Sequence, residues 1–595
     1  MKNRWWVVIQ FIMIIAAMGQ LTMARGSYLP YLVLFGAGLV ALGLNFFISN
    51  HNAINAIFLK KTYERNTTVI FAILMTIIVL CANYNLYVNP SGSDNPAIKA
   101  LYGIIAFLSL GIGTYYATYN IFKMIACHIG RISIYGKKGK MKSWEIFIFC
   151  MFSFMVVYSL IMTMGMYPGI VNSDATDQIT QTMTGVYSNH HPFYHTLIIK
   201  ACMDIANIIS PANNINFAVS VYSYFSIFCM ALAFSLLIMT LVSVGVPRWC
   251  IAIIYAFYLL MPYHILFSFA MWKDTPFAAL VLIFSLYSYR VFKGIGNSWV
   301  NYIVVLLSGT GMCIFRSNGM VAFLLYGLVL LLVYRLKAKK MVAVIAGALF
   351  LSIILKFVSL GAMGIEQPDT IEHLSIPAQQ IARVITVSND LTSSERSVLS
   401  EVVDIERVPE TYVSYTSDPI KYLVRESGNQ TRIKESAFIF AGTYLTIGIR
   451  HPFLYTQALI DETVGFWDSG YLEWKYYYSE VAENSLGIRQ VSKVPGFNKV
   501  INAYANMYTH IPILNLCICI GFNFWLCLVA LYTAIIRKDR GAIMMSIPVL
   551  AIIATLLVST PVYAEFRYIY SMFTCLPLIL VSAFFTIRKE PGGTG

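Results

Sequence analysis

The chain has 595 residues, of which 58% are hydrophobic and only 12% charged, and it carries a formal net charge of +14. That balance excludes a soluble globular protein of this length and leaves a polytopic membrane protein. On a soluble chain the excess of positive charge would point to nucleic acid. Here it is the excess expected in cytoplasmic loops, and no P-loop, base-reading module or 20–50-residue repeat accompanies it.

A bilayer is crossed by roughly twenty apolar residues, and fourteen such runs follow one another. They are expected near 5–23, 29–48, 68–88, 98–122, 144–165, 217–244, 249–267, 275–292, 299–315, 319–335, 341–360, 511–536, 542–561 and 566–587. The first follows MKNRWW as a signal peptide would, but it has no small-residue cleavage site and reads as a retained span. A further apolar stretch, 193–209, reads as an interfacial helix. The eleven cysteines are scattered, almost all in apolar runs, and no CxxC pair or zinc spacing occurs among them. The fold class is therefore an all-α polytopic membrane protein with about 14 transmembrane helices. Its expected divisions are a four-span N-terminal addition (1–143), a transmembrane core (144–360) with a polar loop at 166–216, a small extracytoplasmic α-rich domain (361–510), and a C-terminal three-span bundle with a short cytoplasmic tail (511–595).

Loop charge sets the orientation. With Lys2 and Arg4 inside, the even-numbered gaps hold Lys60, Lys61, Arg65, Lys123, Arg131, Lys137, Lys138, Lys140, Lys142, Arg248, Arg290, Lys293, Arg335, Lys337, Lys339, Lys340, Arg537, Lys538, Arg540, Arg588 and Lys589. Both termini are then cytoplasmic and the protein sits in the plasma membrane. The stretch 361–510 falls outside with 12 of the 42 Lys+Arg and 18 of the 28 Asp+Glu, leaving 30 basic against 10 acidic residues elsewhere. Helical patterning is present in 375–389 and 429–449, and an aromatic cluster occupies 466–478, so this stretch is not a disordered linker.

The same topology gathers ionisable residues at the outer ends of spans, where charge near hydrocarbon is costly unless paired or used. The loop YPGIVNSDATDQITQTMTGVYSNHHPFYH carries Asp174, Asp177, His190, His191 and His195; WKDTP carries Lys273 and Asp274; FRSNG carries Arg316 and Asn318; AEFRY carries Glu565 and Arg567. Each has an ordinary explanation. Asp274 suits a helix cap, Lys273 could pair with Asp274, Arg316 and Arg567 could snorkel to lipid phosphates, and His190 with His191 could start a helix after Pro192. Asp174 and Asp177 could be a solvated pair, and His191 with His195, spaced i,i+4, could hold a metal. Taken together, cations at three separate span ends on a face that should be poor in them point to an anionic ligand, and a lipid phosphate or pyrophosphate fits.

These motifs resemble a known group. YPGIVNSDATDQ, HHPFYHTLI, WKDTPFA, FRSNG and IPAQQIARV are similar to an uncharacterised family of bacterial multispanning proteins related to the C-type (GT-C) membrane glycosyltransferases, over about residues 144–587. The resemblance implies transfer of a sugar from a polyprenyl-phosphate carrier to a cell-envelope glycan or polymer acceptor on the outer face. It implies that an acid of the first loop, Asp174 or Asp177, is the base or a ligand for a divalent metal (Mg or Mn). His190, His191, Lys273, Asp274, Arg316, Asn318 and Arg567 would bind substrate, and the chain departs from the superfamily in lacking an adjacent Asp-Glu pair. Two other classes stay open: a transporter or flippase of a lipid-linked saccharide, and a non-catalytic envelope-assembly protein. A transporter should place polar residues at mid-membrane depth; Asn45, Asn83 and Asn120 lie near span ends, and only Lys356 is a charge well inside a span.

Overall fold

The computed structural model describes residues 2–25, 29–50, 62–90, 95–128, 142–211, 214–335, 337–470 and 476–585. The loop cations Lys60, Lys61, Arg131, Lys137, Lys138, Lys140, Arg588 and Lys589, the side chains of Lys2 and Arg4, and residues 471–475 of the aromatic cluster lie outside the described residues. Among the described residues the regular structure is all helical, with extended pairing confined to isolated bridges. Twelve helices are long and apolar enough to cross a membrane, and two bent pairs bring the number to fourteen. The protein is a multi-pass all-α membrane protein.

Local chemistry sets the helix ends. Asn95 accepts from the Ala97 amide ahead of Pro96, Asn297 from the Trp299 amide and Asp539 from the Ala542 amide, so each side chain takes one amide that the first turn leaves without a partner. The run expected at 68–88 forms Thr62–Ala82, and Asn85–Val88 is a separate turn. Two expected spans are broken. Arg248–Leu260 and Pro262–Ser268 meet at 55°, where Pro262 removes a backbone donor. Pro512–Ile518 and Ile520–Ile536 meet at 68° with no proline between them. There the Asn523 amide donates to the Leu516 and Cys519 carbonyls at 3.0 and 2.8 Å, supplying partners at the break. The Ser298–Phe315 and Ser317–Tyr334 helices are separated by Arg316 alone, and Lys356 falls in a π-helical stretch, Ile354–Ser359.

The buried asparagines work between helices. Asn45 donates to the Asn120 carbonyl at 3.2 Å, and Asn83 to the Tyr31 hydroxyl at 2.9 Å, as polar groups do where helices pack in lipid. The Tyr31 hydroxyl in turn donates to Asp468, and Thr68 bonds the Tyr532 hydroxyl. The four N-terminal spans are thereby tied to the C-terminal part of the chain.

The 361–510 stretch has two parts. Helices Ser375–Val387, Ser393–Ser400, Asp418–Glu426, Ala437–Arg450 and Pro452–Thr463 enclose their own core of Val384, Ile385, Leu399, Val408, Ile420 and Ile447. The patterning at 429–449 becomes two helices, Thr431–Glu435 and Ala437–Arg450, parted at Ser436. Residues 476–496 instead run extended along the bundle, where the Ala482 and Val491 amides donate to the Val171 and Tyr167 carbonyls at 2.7 Å each. The helical unit is fastened by the Ser417 amide on the Pro561 carbonyl, the Tyr563 amide on the Tyr415 carbonyl and the Asn189 amide on the Glu366 carbonyl.

Candidate functional site

The loop after the fifth span is held rigidly before it reaches its carboxylates. The segment 167–171 lies between two others: on one side the Ile170 amide donates to the Phe269 carbonyl and its carbonyl accepts from the Met271 amide, and on the other the Tyr167 and Val171 carbonyls accept from the Val491 and Ala482 amides. Gly169 adopts φ +133°, and a Cβ there would lie 2.2 Å from the Ser223 hydroxyl and 2.8 Å from the Phe269 carbonyl. No other residue type fits both the backbone angle and the space. Asn172 then caps the Ser173–Thr184 helix by accepting from the Ala175 amide, which places Asp174 in its first turn.

A second clamp fixes the far side of this helix. Gln178 donates to the Thr196 hydroxyl at 2.8 Å and accepts from His195 Nδ1 at 2.8 Å, so His195 Nε2 accepts from the Tyr222 hydroxyl at 2.6 Å. His195 is fully buried, and burial brings its imidazole down to about 3. Both ring nitrogens are committed, so His195 is a structural residue and not the metal partner of His191 that the i,i+4 spacing allows.

Asp174 faces three basic groups from distant parts of the chain. Lys273 donates to Asp174 Oδ2 at 3.5 Å and Arg567 to the same oxygen at 3.2 Å, while His191 Nδ1 lies 3.8 Å away. Burial alone would raise the Asp174 carboxyl, but Lys273, Arg567 and His191 outweigh it and hold it well below the usual carboxylate range. Burial and the Lys273 ammonium keep His191 at about 3, so the ring is neutral at physiological pH. Its Nδ1 accepts from Lys273 at 3.3 Å, which leaves the Nε2 proton facing Asp177 Oδ2 at 3.7 Å. The Asp177 side chain is 70% exposed, and burial and the Asp174 charge raise its carboxyl.

The remaining motifs meet at the same place. Arg316 forms a buried ion pair with Asp274, not with lipid, and its guanidinium lies 4.7 Å from the Tyr568 ring centre. Asp274 is therefore neither the partner of Lys273 nor a helix cap by its side chain. Arg567 also approaches Glu565 at 3.4 Å, whose carboxylate accepts from the Tyr478 hydroxyl. Asn318 donates to Thr555 at 2.9 Å and joins two spans.

Asp174, His190, His191, Lys273, Arg316, Asn318 and Arg567 all line one cavity of about 470 Å³. Asp177 and Asp274 stand just outside its wall. The opposite wall, which the motifs did not reveal, comes from the helical unit: Glu372, His373, Asp418, Lys421, Tyr422 and Arg425. Lys421 bonds Glu372 at 3.1 Å and Asp418 at 2.7 Å, and Arg425 reaches Asp369 at 3.0 Å. The sequence offered one signal for this wall: basic residues four apart, Lys421 and Arg425, on a short helix begun by Asp418-Pro. Five Lys and Arg and three carboxylates line the cavity, and Asp274, Asp369 and Glu565 pair with Arg316, Arg425 and Arg567 from behind it, so the wall is an ion-pair network that presents five cations to a ligand.

Among the described residues no group of three or more His, Cys, Asp or Glu converges to hold an ion. Asp174 Oδ2 already takes two cationic donors, and Asp177 approaches only the protonated edge of His191. No curated protein and no solved structure matches the chain. A model described as "Family of unknown function (DUF6020)" matches residues 179–592, which takes in every cavity residue named above except Asp174. The chain belongs to that family.

Proposed function

We propose that the protein is a membrane glycosyltransferase that takes a sugar from a polyprenyl-phosphate carrier and passes it to a cell-envelope acceptor on the extracytoplasmic face. One observation carries the reading: Asp174 lies beside Lys273 and Arg567 in a cavity lined by five Lys and Arg at the end of a membrane bundle. An anionic lipid headgroup is the ligand such a place suits.

In this reading the donor phosphate binds Lys273, Arg567 and Arg316. As the ammonium and guanidinium groups turn to the phosphate, Asp174 loses the charges that suppress its basicity. It then accepts the proton of the acceptor hydroxyl, whose oxygen attacks the anomeric carbon. The carbon–oxygen bond to phosphate breaks, and the negative charge that develops on the leaving phosphate is held by the same three cations. Base strength thus rises only when donor is present, which limits wasteful turnover. Lys421 and Arg425, on the facing wall, act on the acceptor or on the outer oxygens of the donor.

The test uses purified protein in vesicles loaded with a labelled polyprenyl-phosphate sugar. Release of the labelled sugar from its lipid supports the transferase. Movement of intact lipid-linked sugar between leaflets without cleavage selects a flippase.

A further inference from the structure

The helical unit contains a second cavity, of about 400 Å³, that shares nothing chemically with the first. Its deep wall is made of Ile371, Ala382, Ile385, Leu399, Val408 and Ile420, all buried. Its lining is almost wholly apolar and opens to the surface at a mouth, so covering it with a hydrocarbon group would remove apolar area from water and stabilise the unit.

Three features indicate the occupant. The mouth is formed by Lys434, Ala437 and Ala441, which are exposed, and Lys434 is the single charged residue of the lining. No ion pair engages Lys434 among the described residues. Beside the mouth, the helix Ala437–Arg450 turns large apolar side chains outward: Phe438 is 96% exposed and Ile449 79%, and Phe453 of the next helix is 82% exposed. A patch of this kind marks a membrane or partner contact, and this chain is a multi-pass membrane protein. Lastly, the helix Asp418–Glu426 divides the two cavities, giving Lys421 and Arg425 to the charged one and Ile420 and Val424 to the apolar one.

We infer that the 361–463 unit is a lipid-binding module: the Ala437–Arg450 helix lies in the membrane interface, and the cavity behind it takes up one hydrocarbon chain of a phosphate-bearing lipid, with Lys434 at the headgroup. This does not rest on the transferase reading. A prenyl carrier and a glycerolipid present the same chemistry, a long chain below an anionic phosphate.

The test exposes full-length protein in nanodiscs to two photoactivatable probes in turn. One is a polyprenyl phosphate carrying a diazirine in its chain, the other a phosphatidylglycerol with a diazirine in one acyl chain. Crosslinks are mapped by peptide. Labelling within 378–408 and 433–444 by either probe, reduced at least tenfold by Ala441→Trp at the mouth, is the expected result, and the probe that labels identifies the lipid. Ala382→Phe, which fills the deep end, should do the same. Crosslinks confined to the membrane spans, or labelling unchanged in either variant that keeps the parent melting temperature, would overturn the inference. Absence of sugar transfer by the parent protein, with this labelling present, would count only against the transferase.

Discussion

Lys273 sits between the two groups whose chemistry matters most, bonding Asp174 and the neutral His191. A charge-assisted bond of this kind contributes about 1.5–3 kcal/mol, so Lys273→Gln should raise the donor KM about tenfold to a hundredfold, with kcat less affected. Arg316→Ala is a worse probe. Breaking the buried pair with Asp274 costs about 3–5 kcal/mol, and lost folding would mask lost binding. Glu462 gives a pH signature of its own. Its side chain is fully buried, and burial pushes its carboxyl up to about 8 against the pull of Ser417 and Lys421. The folded state therefore holds a proton that the unfolded state releases near 4.5. The resulting stability is complete below that value and is lost as pH rises through 8. Melting curves should show a fall on the order of 3 kcal/mol between pH 6 and 8, and Glu462→Gln should remove most of that slope; an unchanged slope would assign it elsewhere.

At the scale of elements, the segment 167–172 determines where Asp174 lies. Gly169→Ala places a methyl against Ser223 and the Phe269 carbonyl at a backbone angle unfavourable to alanine. A loss of roughly 1–3 kcal/mol in stability is expected, with a fall in kcat because the following helix start must shift; equal activity and melting temperature would show that the loop is not the positioning device. Much of this architecture was legible beforehand. All fourteen apolar runs form helices, since hydrocarbon thickness and backbone hydrogen bonding permit little else. The bend at Cys519 was not legible, because it depends on the Asn523 amide reaching carbonyls across the break and carries no proline. Nor was the second wall of the cavity. Lys421 and Arg425 look like surface charges of a short helix until Glu372 and Asp369, some fifty residues away, fold against them. The span-end motifs declared themselves because charge beside hydrocarbon needs a reason; charge in a soluble domain does not.

For the molecule as a whole, the two ends of the bundle differ in kind. At one end Lys293 pairs with Asp539 at 2.6 Å, Lys538 lies over the Tyr63 ring and Arg540 over that of Tyr334. These are the even-numbered gaps. The odd-numbered gaps carry Asp174, Lys273, Arg316 and Arg567 and meet at the cavity. Loop charge then predicts which end faces out. Single cysteines at Ser397 and Ser298, both exposed, should behave oppositely toward an impermeant maleimide in intact cells: the first labels, the second does not. The reverse pattern would turn the cavity to the cytoplasm and remove the extracytoplasmic donor. The most direct measurement is single-turnover cleavage of the labelled polyprenyl-phosphate sugar by the parent and by Asp174→Asn, at saturating donor and with folding matched by melting temperature. As the proton acceptor, Asp174 should be worth about two to four orders of magnitude in the chemical step, with donor affinity kept or improved because the cations are released. Equal single-turnover rates in the two proteins would contradict a catalytic role for this carboxylate.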